Sequence, residues 1–235
     1  MTALVTYAVD GHVARLTLDS PHNRNALSGR LVEQLHAGLR EAAADPGVRV
    51  LVLGHTGGTF CAGADLSEAS GGDPFESTAA RTRELATVLR AIVESPLPVV
   101  AAIDGHVRAG GLGLVGACDI AVAGPRSTFA LTEARIGVAP AIISLTLLPK
   151  LAPRAAARYY LTGETFSAER AAEIGLITLA AEDVTAAVDG LVADLGRGSP
   201  QGLAASKALT TASILAGFDR DAERLAVESA RLFIS

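Results

Sequence analysis

Hydrophobic and polar positions along the chain form two kinds of pattern, which alternate through the first two-thirds of the sequence. Short runs that are apolar throughout, or that alternate apolar with polar residues, predict strands. The predicted strands cover residues 5–9, 12–18, 48–54, 98–103 and 120–123. Longer runs predict helices, as where Leu31, Leu35 and Leu39 recur at four-residue spacing. The predicted helices cover residues 28–44, 76–94 and 111–118.

The last third of the chain is mostly helical by the same criterion. The predicted helices cover residues 153–161, 168–174, 184–196, 201–216 and 219–232, with one strand-like run at residues 176–180. Earlier in the chain, residues 56–73 are rich in glycine and are predicted to be irregular. Strands that alternate with helices and then give way to helices predict an α/β core with a helical appendage.

The composition indicates a protein with a sizeable core and no polyanionic partner. Its 235 residues are 49% hydrophobic, with a mean hydropathy of +0.36. A net charge of −5 and a pI near 5.5 argue against nucleic acid as a partner. No apolar run reaches the roughly 18 residues of a membrane span, and the charged, alternating N-terminus is unlike a signal peptide. We therefore expect a cytoplasmic protein that binds neither membrane nor nucleic acid.

Cysteine and histidine positions predict neither a disulfide nor a metal site. Cys61 and Cys118 each lie within apolar or glycine-rich runs, and we expect them to be buried, reduced thiols. The five histidines lack the spacing of metal ligands, so no metal is predicted. A serine hydrolase is not indicated either, because the sequence has no G-x-S-x-G motif.

Four glycines lie within seven positions of the stretch RAGGLGLVGACD, residues 108–119. From Gly111 the spacing is G-x-G-x-x-G, and Glu133 follows about where the dinucleotide-binding motif has its acidic residue. That motif begins directly after a strand, whereas the nearest predicted strand ends well before Gly111, so we predict that the stretch does not bind NAD. Close packing of a helix on its neighbour explains Gly116, but not the pair Gly110-Gly111 at a helix start.

The Gly110-Gly111 pair predicts a turn that binds an anion or an oxyanion. Backbone N–H groups at a helix N-terminus are unpaired and carry the positive end of the helix dipole, and glycine lets a ligand oxygen approach them. A second glycine turn, from Gly58 to Asp65, follows the strand predicted at residues 48–54. Two such turns can present two N–H donors to one carbonyl oxygen, an arrangement called an oxyanion hole.

Taken together, the motifs of this chain resemble those of the crotonase superfamily, also called the enoyl-CoA hydratase/isomerase family. The matching segments are NALS at residues 25–28, FCAGADL at residues 60–66, PVVAAIDG at residues 98–105, AGG to ACD at residues 109–119, FALTE at residues 129–133 and LTG at residues 161–163. They occur in family order from about residue 5 to about residue 230. The fold that the resemblance implies is α/β, a crotonase-like spiral of ββα units with a C-terminal helical trimerisation region. Residues 1–160 would form the spiral core and residues 161–235 the helical oligomerisation region.

The resemblance also implies the ligand and the roles of individual residues. The substrate would be an acyl-CoA thioester, with no separate cofactor because coenzyme A is part of the substrate, and the assembly would be a homotrimer or a dimer of trimers. The backbone N–H groups of Ala64 and Gly110 would form the oxyanion hole, and Glu133 would be the catalytic carboxylate. The residues expected to contact the substrate are Arg24, Ala26, Ala62, Ala64, Asp65, Leu66, Gly110, Gly113 and Thr132.

Two of these residues have a plain alternative interpretation. Arg24, just before the Asn-Ala-Leu motif, is a candidate for coenzyme A phosphates, and an ordinary solvated surface arginine is the alternative. Glu133 could form a surface salt bridge, since Arg135 follows closely. If it lies beside an apolar acyl pocket instead, we expect its pKa to be raised, which suits a general acid and base.

Two departures from the family pattern leave the reaction open. Gly113 stands where well-studied hydratases of the family have a second glutamate, and the usual Pro-Gly-Ala-Gly-Gly is PAIIS at residues 140–144. The chain could be a 2-enoyl-CoA hydratase, a Δ3,Δ2-enoyl-CoA isomerase that uses Glu133 alone, or an acyl-CoA-binding protein that has lost catalysis. Other stretches are similar to bacterial methylglutaconyl-CoA hydratases, for which Arg108 is a candidate to meet an acidic acyl end.

Overall fold

The computed structural model describes residues 3–65 and 73–233, and the named elements are those of this part of the chain. The strands are β1 (Val5–Asp10), β2 (Val13–Leu18), β3 (Val50–His55), β4 (Thr59–Cys61), β5 (Val99–Ile103), β6 (His106–Arg108), β7 (Ile120–Ala123), β8 (Thr128–Ala130), β9 (Phe166–Ser167) and β10 (Leu179–Ala180). The helices are α1 (Gly29–Ala44), α2 (Pro74–Glu94), α3 (Gly110–Ala117), α4 (Ser144–Leu147), α5 (Pro153–Thr162), α6 (Ala168–Glu173), α7 (Val184–Leu195) and α8 (Pro200–Phe233).

Successive pairs of strands build two sheets. The larger sheet has the order β1-β2-β3-β5-β7-β10, and the smaller has the order β4-β6-β8-β9. The pairs β3–β4, β5–β6 and β7–β8 each contribute their first strand to the larger sheet and their second to the smaller. Neighbouring strands of successive pairs run parallel in both sheets. With α2 after β4 and α3 after β6, the chain repeats a ββα unit, as the resemblance implied.

The larger sheet is covered on both faces. Leu51, Leu53 and Ala101 face the main core, which also includes buried residues of α1, α2 and α3. The residues between them in the strands point to the opposite face, because side chains alternate along a strand. There a separate cluster of valines packs β2, β3, β5 and β7 against α7. Its buried members are Val13, Val50, Val52, Val100, Val122, Val188 and Val192.

Helices α1 and α2 each begin after a polar capping residue, close to where the sequence indicates. The Ser28 side chain accepts a hydrogen bond of 3.2 Å from the Leu31 N–H, which caps α1. Asp73 caps α2 in the same way, accepting from the Phe75 N–H at 2.9 Å, and Pro74 occupies the first helical position. The helices predicted at residues 28–44 and 76–94 are confirmed, the second with a start at Pro74.

The smaller sheet was not predicted from the sequence. Its strands have only two or three residues each, too few for an alternating pattern to be recognised. Consequently β4 lies inside the stretch predicted to be irregular, and β6 lies where a loop was expected. The strand predicted at residues 176–180 is also shorter than expected, because only Leu179–Ala180 pairs with β7.

The two helices predicted at residues 201–216 and 219–232 are one continuous helix, α8, of 34 residues. The expected break lay at Gly217 and Phe218. A glycine costs a helix only about 1 kcal/mol relative to alanine, and both residues are buried here. Ion pairs from Arg83 to Glu223 and from Arg90 to Asp219 also join α2 to α8. Packing along α2 therefore carries the helix through the glycine.

Searching the described residues finds no helix both long and apolar enough to cross a membrane. The division into a core of residues 1–160 and a helical region of residues 161–235 stays a prediction.

Candidate active site

Three neighbouring strands of the smaller sheet end at the same edge and bring the predicted catalytic groups to one place. Strands β4, β6 and β8 are adjacent and parallel, so their carboxyl ends lie side by side. Ala64 follows the end of β4 by three residues, Gly110 follows the end of β6 by two, and Glu133 follows the end of β8 by three. Ligands of parallel sheets bind beyond the carboxyl ends of the strands. This edge is therefore the candidate active site.

The turn after β4 leaves one backbone donor without an acceptor. Leu27 pairs with this turn as a short parallel bridge, donating to the Gly63 carbonyl at 2.7 Å and accepting from the Asp65 N–H at 3.2 Å. The N–H of Ala64, between them, points to the opposite side of the bridge. Among the described residues it has no hydrogen-bond acceptor, and Ala64 itself is exposed.

The turn after β6 lies directly against the first one. Ala109 adopts a positive φ of 46°, unusual for alanine, and Gly110 then begins α3. Gly63 has a φ of 91°, and a Cβ on it would lie 2.7 Å from the Ala109 Cβ and 3.3 Å from the Gly110 nitrogen. Only glycine at position 63 allows this approach, which places the first residue of α3 beside the turn that holds Ala64. In the part of the chain that the structure describes, the Gly110 N–H also has no acceptor.

The other glycines of the stretch are packing positions. A Cβ on Gly111 would lie 2.7 Å from the Cys61 carbonyl oxygen, and one on Gly116 would lie 2.9 Å from the Thr146 Oγ1. These residues let α3 lie close to β4 and α4. A strand does end immediately before this turn, contrary to the expectation from the sequence, because β6 ends at Arg108. That the stretch does not bind NAD stays a prediction.

Gly113 occupies a closed position. A Cβ there would lie 2.5 Å from Ile143 Cγ2, 3.1 Å from Ile143 Cβ and 3.2 Å from Leu89 Cδ1. Ile143 is 2% exposed and belongs to the segment that departs from the family pattern. The two departures are therefore one structural feature, in which isoleucine fills the space that a side chain at position 113 would need. No second carboxylate fits beside this isoleucine.

Glu133 is a half-buried residue whose carboxyl group has one buried oxygen without a partner among the residues described. It begins a short 3-10 turn that ends at Ile136. Within the described part of the chain its Oε2 atom is buried and has no hydrogen-bond partner, and Glu133 forms no ion pair. Burial raises the pKa of Glu133, as expected for a carboxylate beside an apolar site. The salt-bridge interpretation is wrong, because Arg135 donates to the Thr162 carbonyl at 3.0 Å instead.

The remaining predicted contact residues lie around the turn after β4, with two exceptions. Arg24 is exposed, and the Ala62 N–H donates to its carbonyl at 3.1 Å. Ala26 is buried, and the Asp65 carboxylate accepts a hydrogen bond of 3.0 Å from the Asn23 side chain. Thr132 instead precedes Glu133, at the third strand end. Leu66 lies outside the described residues.

Arg108 does not point into open space as a cation for an acidic acyl end would. Its guanidinium donates to the Val107 carbonyl at 2.8 Å, and to the carbonyl and hydroxyl oxygens of Thr128 at 2.7 and 2.9 Å. Burial lowers its pKa. Arg108 therefore ties β6 to β8 beneath the site, and the expectation that it meets the acyl group finds no support in this geometry.

Sequence reasoning missed the role of Asn25, although it lies in a quoted motif. This buried residue has a positive φ of 53°. Its side-chain oxygen accepts from the Ser20 N–H at 2.7 Å, while its amide donates to the Thr56 and Thr59 carbonyls at 3.0 and 2.8 Å. Asn25 thus joins the segment before α1 to the loop before β4, which fixes Leu27 against the Ala64 turn.

Sequence reasoning also missed a contact between two hydroxyl groups. The Tyr160 hydroxyl, on α5, lies 3.3 Å from the Ser144 Oγ at the start of α4. Burial raises the pKa of Tyr160 to about 12. No spacing in the sequence relates these residues, because they come from separate elements that the fold brings together.

A cavity of about 160 Å³ adjoins the Ala64 turn. Leu27, Val32 and Leu85 provide much of its apolar lining, Ala64 lies at its wall, and Phe233 at the end of α8 contributes an aromatic ring. The cavity thus extends from the exposed donor of the first turn along α1 and α2. An apolar cleft beside an unpaired N–H group suits a long, largely apolar ligand with one carbonyl oxygen.

The cysteine prediction is confirmed. Cys61 and Cys118 are free and buried, and burial raises the pKa of each thiol to about 12. Within the described ranges, 3–65 and 73–233, no group of three or more histidine, cysteine, aspartate or glutamate residues is arranged to hold a metal ion.

Comparison with known proteins agrees with this site. The sequence profile of the Enoyl-CoA hydratase/isomerase family matches residues 9–227. The chain is 74% identical to an enoyl-CoA hydratase of Mycobacterium avium of known structure, covering 100% of this chain and 92% of that one, with a TM-score of 0.95. It is also 36% identical over 189 residues to a probable enoyl-CoA hydratase of Mycobacterium tuberculosis, covering 79% of this chain and 73% of that protein.

The fold is therefore that of the crotonase spiral with a C-terminal helical region. The chain belongs to the enoyl-CoA hydratase/isomerase family.

Proposed function

We propose that the protein is an enzyme that adds water to a 2-enoyl-CoA thioester and yields the 3-hydroxyacyl-CoA. The observation that carries this proposal is the convergence of two unpartnered N–H groups, of Ala64 and Gly110, with the buried carboxylate of Glu133 at one sheet edge. The names of the relatives support the same reaction.

The residues divide the chemistry between them. The thioester oxygen accepts hydrogen bonds from the Ala64 and Gly110 N–H groups, which stabilise the enolate that forms when the double bond is attacked. Glu133 takes a proton from the attacking water as its oxygen bonds to C3, and the same proton, or its equivalent, is then delivered to C2. The sum is the addition of one water across the double bond. A raised pKa suits a carboxylate that both accepts and donates a proton.

The reaction is tested with a panel of straight and branched 2-enoyl-CoA and 3-enoyl-CoA thioesters, with product identification. We expect loss of the conjugated enoyl absorbance and formation of the 3-hydroxyacyl product. E133Q should lower kcat by about a hundredfold or more, the usual contribution of a general acid–base group. If the native enzyme hydrates no 2-enoyl-CoA of any chain length, the proposal is wrong.

Isomerisation of a 3-enoyl-CoA to its conjugated isomer is the second candidate. The closed position of Gly113, filled by Ile143, favours it because position 113 carries no second carboxylate. In this reaction Glu133 would move a proton between C4 and C2 without adding water. Conversion of the 3-enoyl-CoA thioesters in the same panel, with no hydroxyacyl product, would establish it.

The proposal also covers the cofactor, the cellular location and the assembly. Coenzyme A enters as part of the substrate, so no separate cofactor is needed, and Arg24 is exposed where it can meet its phosphates. The protein acts in the cytoplasm as a homotrimer or a dimer of trimers. Ala26, Ala62, Asp65, Leu66 and Thr132 keep the contact roles that the family resemblance implies, whereas Gly113 packs against Ile143 and Leu89.

A further inference from the structure

The sequence contains two lysines, Lys150 and Lys207, and the fold brings both to the segment that ends α3. Lys207 is a structural cation. Its side chain is 5% exposed, and its ammonium group donates to the Ile92 and Leu97 carbonyls and to the Asp119 carboxylate. An ammonium group has three N–H donors, so these three acceptors use all of them.

Lys150 is held in a different way. Its amine donates to the carbonyl of Cys118, the capping residue at the end of α3, and within the described residues it forms no ion pair. The charged groups that face it, Asp119 and Lys207, pair with each other. Lys150 is half-buried, and burial lowers its pKa. A larger share of this amine is therefore neutral, and nucleophilic, than in an exposed lysine.

A cavity of about 320 Å³ lies beside this lysine. Lys150 and Cys118 both line it, and the buried side chains of Val115, Leu176 and Ile177 contribute apolar walls. The Cys118 thiol does not compete as a nucleophile, because the residue is 1% exposed and burial raises its pKa to about 12. The cavity thus offers a single reactive group, an amine, next to space for a short apolar chain.

We propose that Lys150 is a modification site, at which the amine accepts a short acyl group from an acyl-CoA thioester and the cavity holds the acyl chain. The inference goes beyond the proposed hydration and shares with it only the thioester class of the ligand. The lysine nitrogen bonds to the thioester carbonyl carbon, the bond from this carbon to sulfur breaks, and the proton lost by the nitrogen goes to the coenzyme A thiolate. The products are an acylated lysine and free coenzyme A, so no further reactant is needed.

The native protein is incubated with butyryl-CoA near pH 8 and its peptides are analysed by mass spectrometry. This saturated thioester has no double bond to hydrate, so the result does not depend on the hydratase proposal. We expect a butyryl group on Lys150 and none on Lys207, and peptide masses separate both lysines from the N-terminal amine. An unmodified Lys150 would overturn the inference and leave the hydratase proposal intact.

R154K provides the matched control, because position 154 is exposed on the first turn of α5 and lies outside the cavity lining. An exposed lysine is almost wholly protonated near pH 8. In this variant we therefore expect Lys150 to be acylated severalfold faster than the lysine at position 154. Equal rates at the two positions would mean ordinary surface chemistry and would also overturn the inference.

Discussion

The burial of Glu133 affects stability as well as catalysis. Its pKa in the folded protein is raised above the ordinary 4.5 by burial, with no hydrogen-bond partner for Oε2 among the described residues. The folded protein therefore binds a proton more readily than the unfolded chain does. Stability from this group is fully present below about pH 4.5 and is lost as the pH rises through the raised value. A functional carboxylate held in this way destabilises the protein at neutral pH.

E133Q should consequently unfold at a higher temperature than the native protein near pH 8, although it loses activity. The neutral amide is cheaper to bury than the carboxylate, and it does not titrate. The difference in melting temperature should vanish near pH 4, where the native carboxyl group is neutral too. Thermal unfolding of both proteins across this pH range makes the measurement. A native protein more stable than E133Q near pH 8 would mean that the carboxylate has a stabilising partner.

Gly113 and Ile143 form a coupled pair. In G113E the new Cβ would lie 2.5 Å from Ile143 Cγ2, and we expect a loss of at least 1–3 kcal/mol from overpacking. I143G alone should cost about 2–5 kcal/mol through the cavity it leaves. The double variant should lose less free energy of unfolding than the two single losses add up to, by about 1–3 kcal/mol. The reason is that the glutamate then fills the cavity left by the isoleucine.

Denaturant unfolding of the four proteins measures this coupling. The same double variant should raise the ratio of hydration to isomerisation, since it restores a second carboxylate. Strict additivity of the two losses would show that the isoleucine does not occupy the glutamate position. L209A, at a site 82% exposed on α8, is a suitable control with an expected change below about 0.5 kcal/mol.

One buried lysine of α8, Lys207, binds several groups of the core. The Lys207 ammonium donates to the Ile92 and Leu97 carbonyls at 2.8 and 3.0 Å and pairs with the Asp119 carboxylate at 2.8 Å. Asp119 in turn accepts from the Val99 N–H at 2.8 Å. The Lys207 side chain therefore donates to a carbonyl group near the end of α2. It also links the end of α2 to the starts of β5 and β7.

K207M should reduce the free energy of unfolding by about 3–5 kcal/mol, because it leaves the largely buried Asp119 carboxylate without the ammonium group that it pairs with. Adding D119N should recover part of the loss, since the uncompensated charge is then removed. Urea unfolding of the two variants tests both statements. A loss below about 1 kcal/mol in K207M would mean that water replaces the ammonium.

At the scale of elements, the sequence predicted the long helices well and the smaller sheet not at all. Leu31, Leu35 and Leu39 lie on one face of α1 and are buried, as helical periodicity requires. Strands of two or three residues carry no such period, and they form because the spiral brings their neighbours alongside. The helix end predicted before Gly217 is wrong for a different reason, because tertiary packing keeps α8 continuous through this glycine.

From the sequence, only residues within recognisable motifs could be assigned to the candidate site. The Gly110-Gly111 pair could be assigned from the local chemistry of unpaired N–H groups at a helix start, whereas the role of Glu133 followed from the family resemblance. The pairing of Ile143 with Gly113, and of Tyr160 with Ser144, depends on contacts between distant segments. A single sequence contains no spacing that reveals such contacts.

The whole molecule presents an apolar groove on the surface formed by α5 and the segment before it. Leu161 and Leu148 are 78% and 49% exposed, and Pro153, Ala157 and Tyr160 line the same groove. A groove with no charged lining residue is a suitable surface for a second copy of the chain. We predict that assembly of the proposed trimer covers it, which would also shield the Tyr160 hydroxyl from bulk solvent.

L161E should therefore shift the protein from trimer to monomer in analytical ultracentrifugation, because the interface would bury an unpaired charge. V9E is the matched control, since Val9 is 43% exposed on the first hairpin, outside the groove. We expect V9E to keep the native assembly. If L161E sediments as the native protein does, the groove is not the interface.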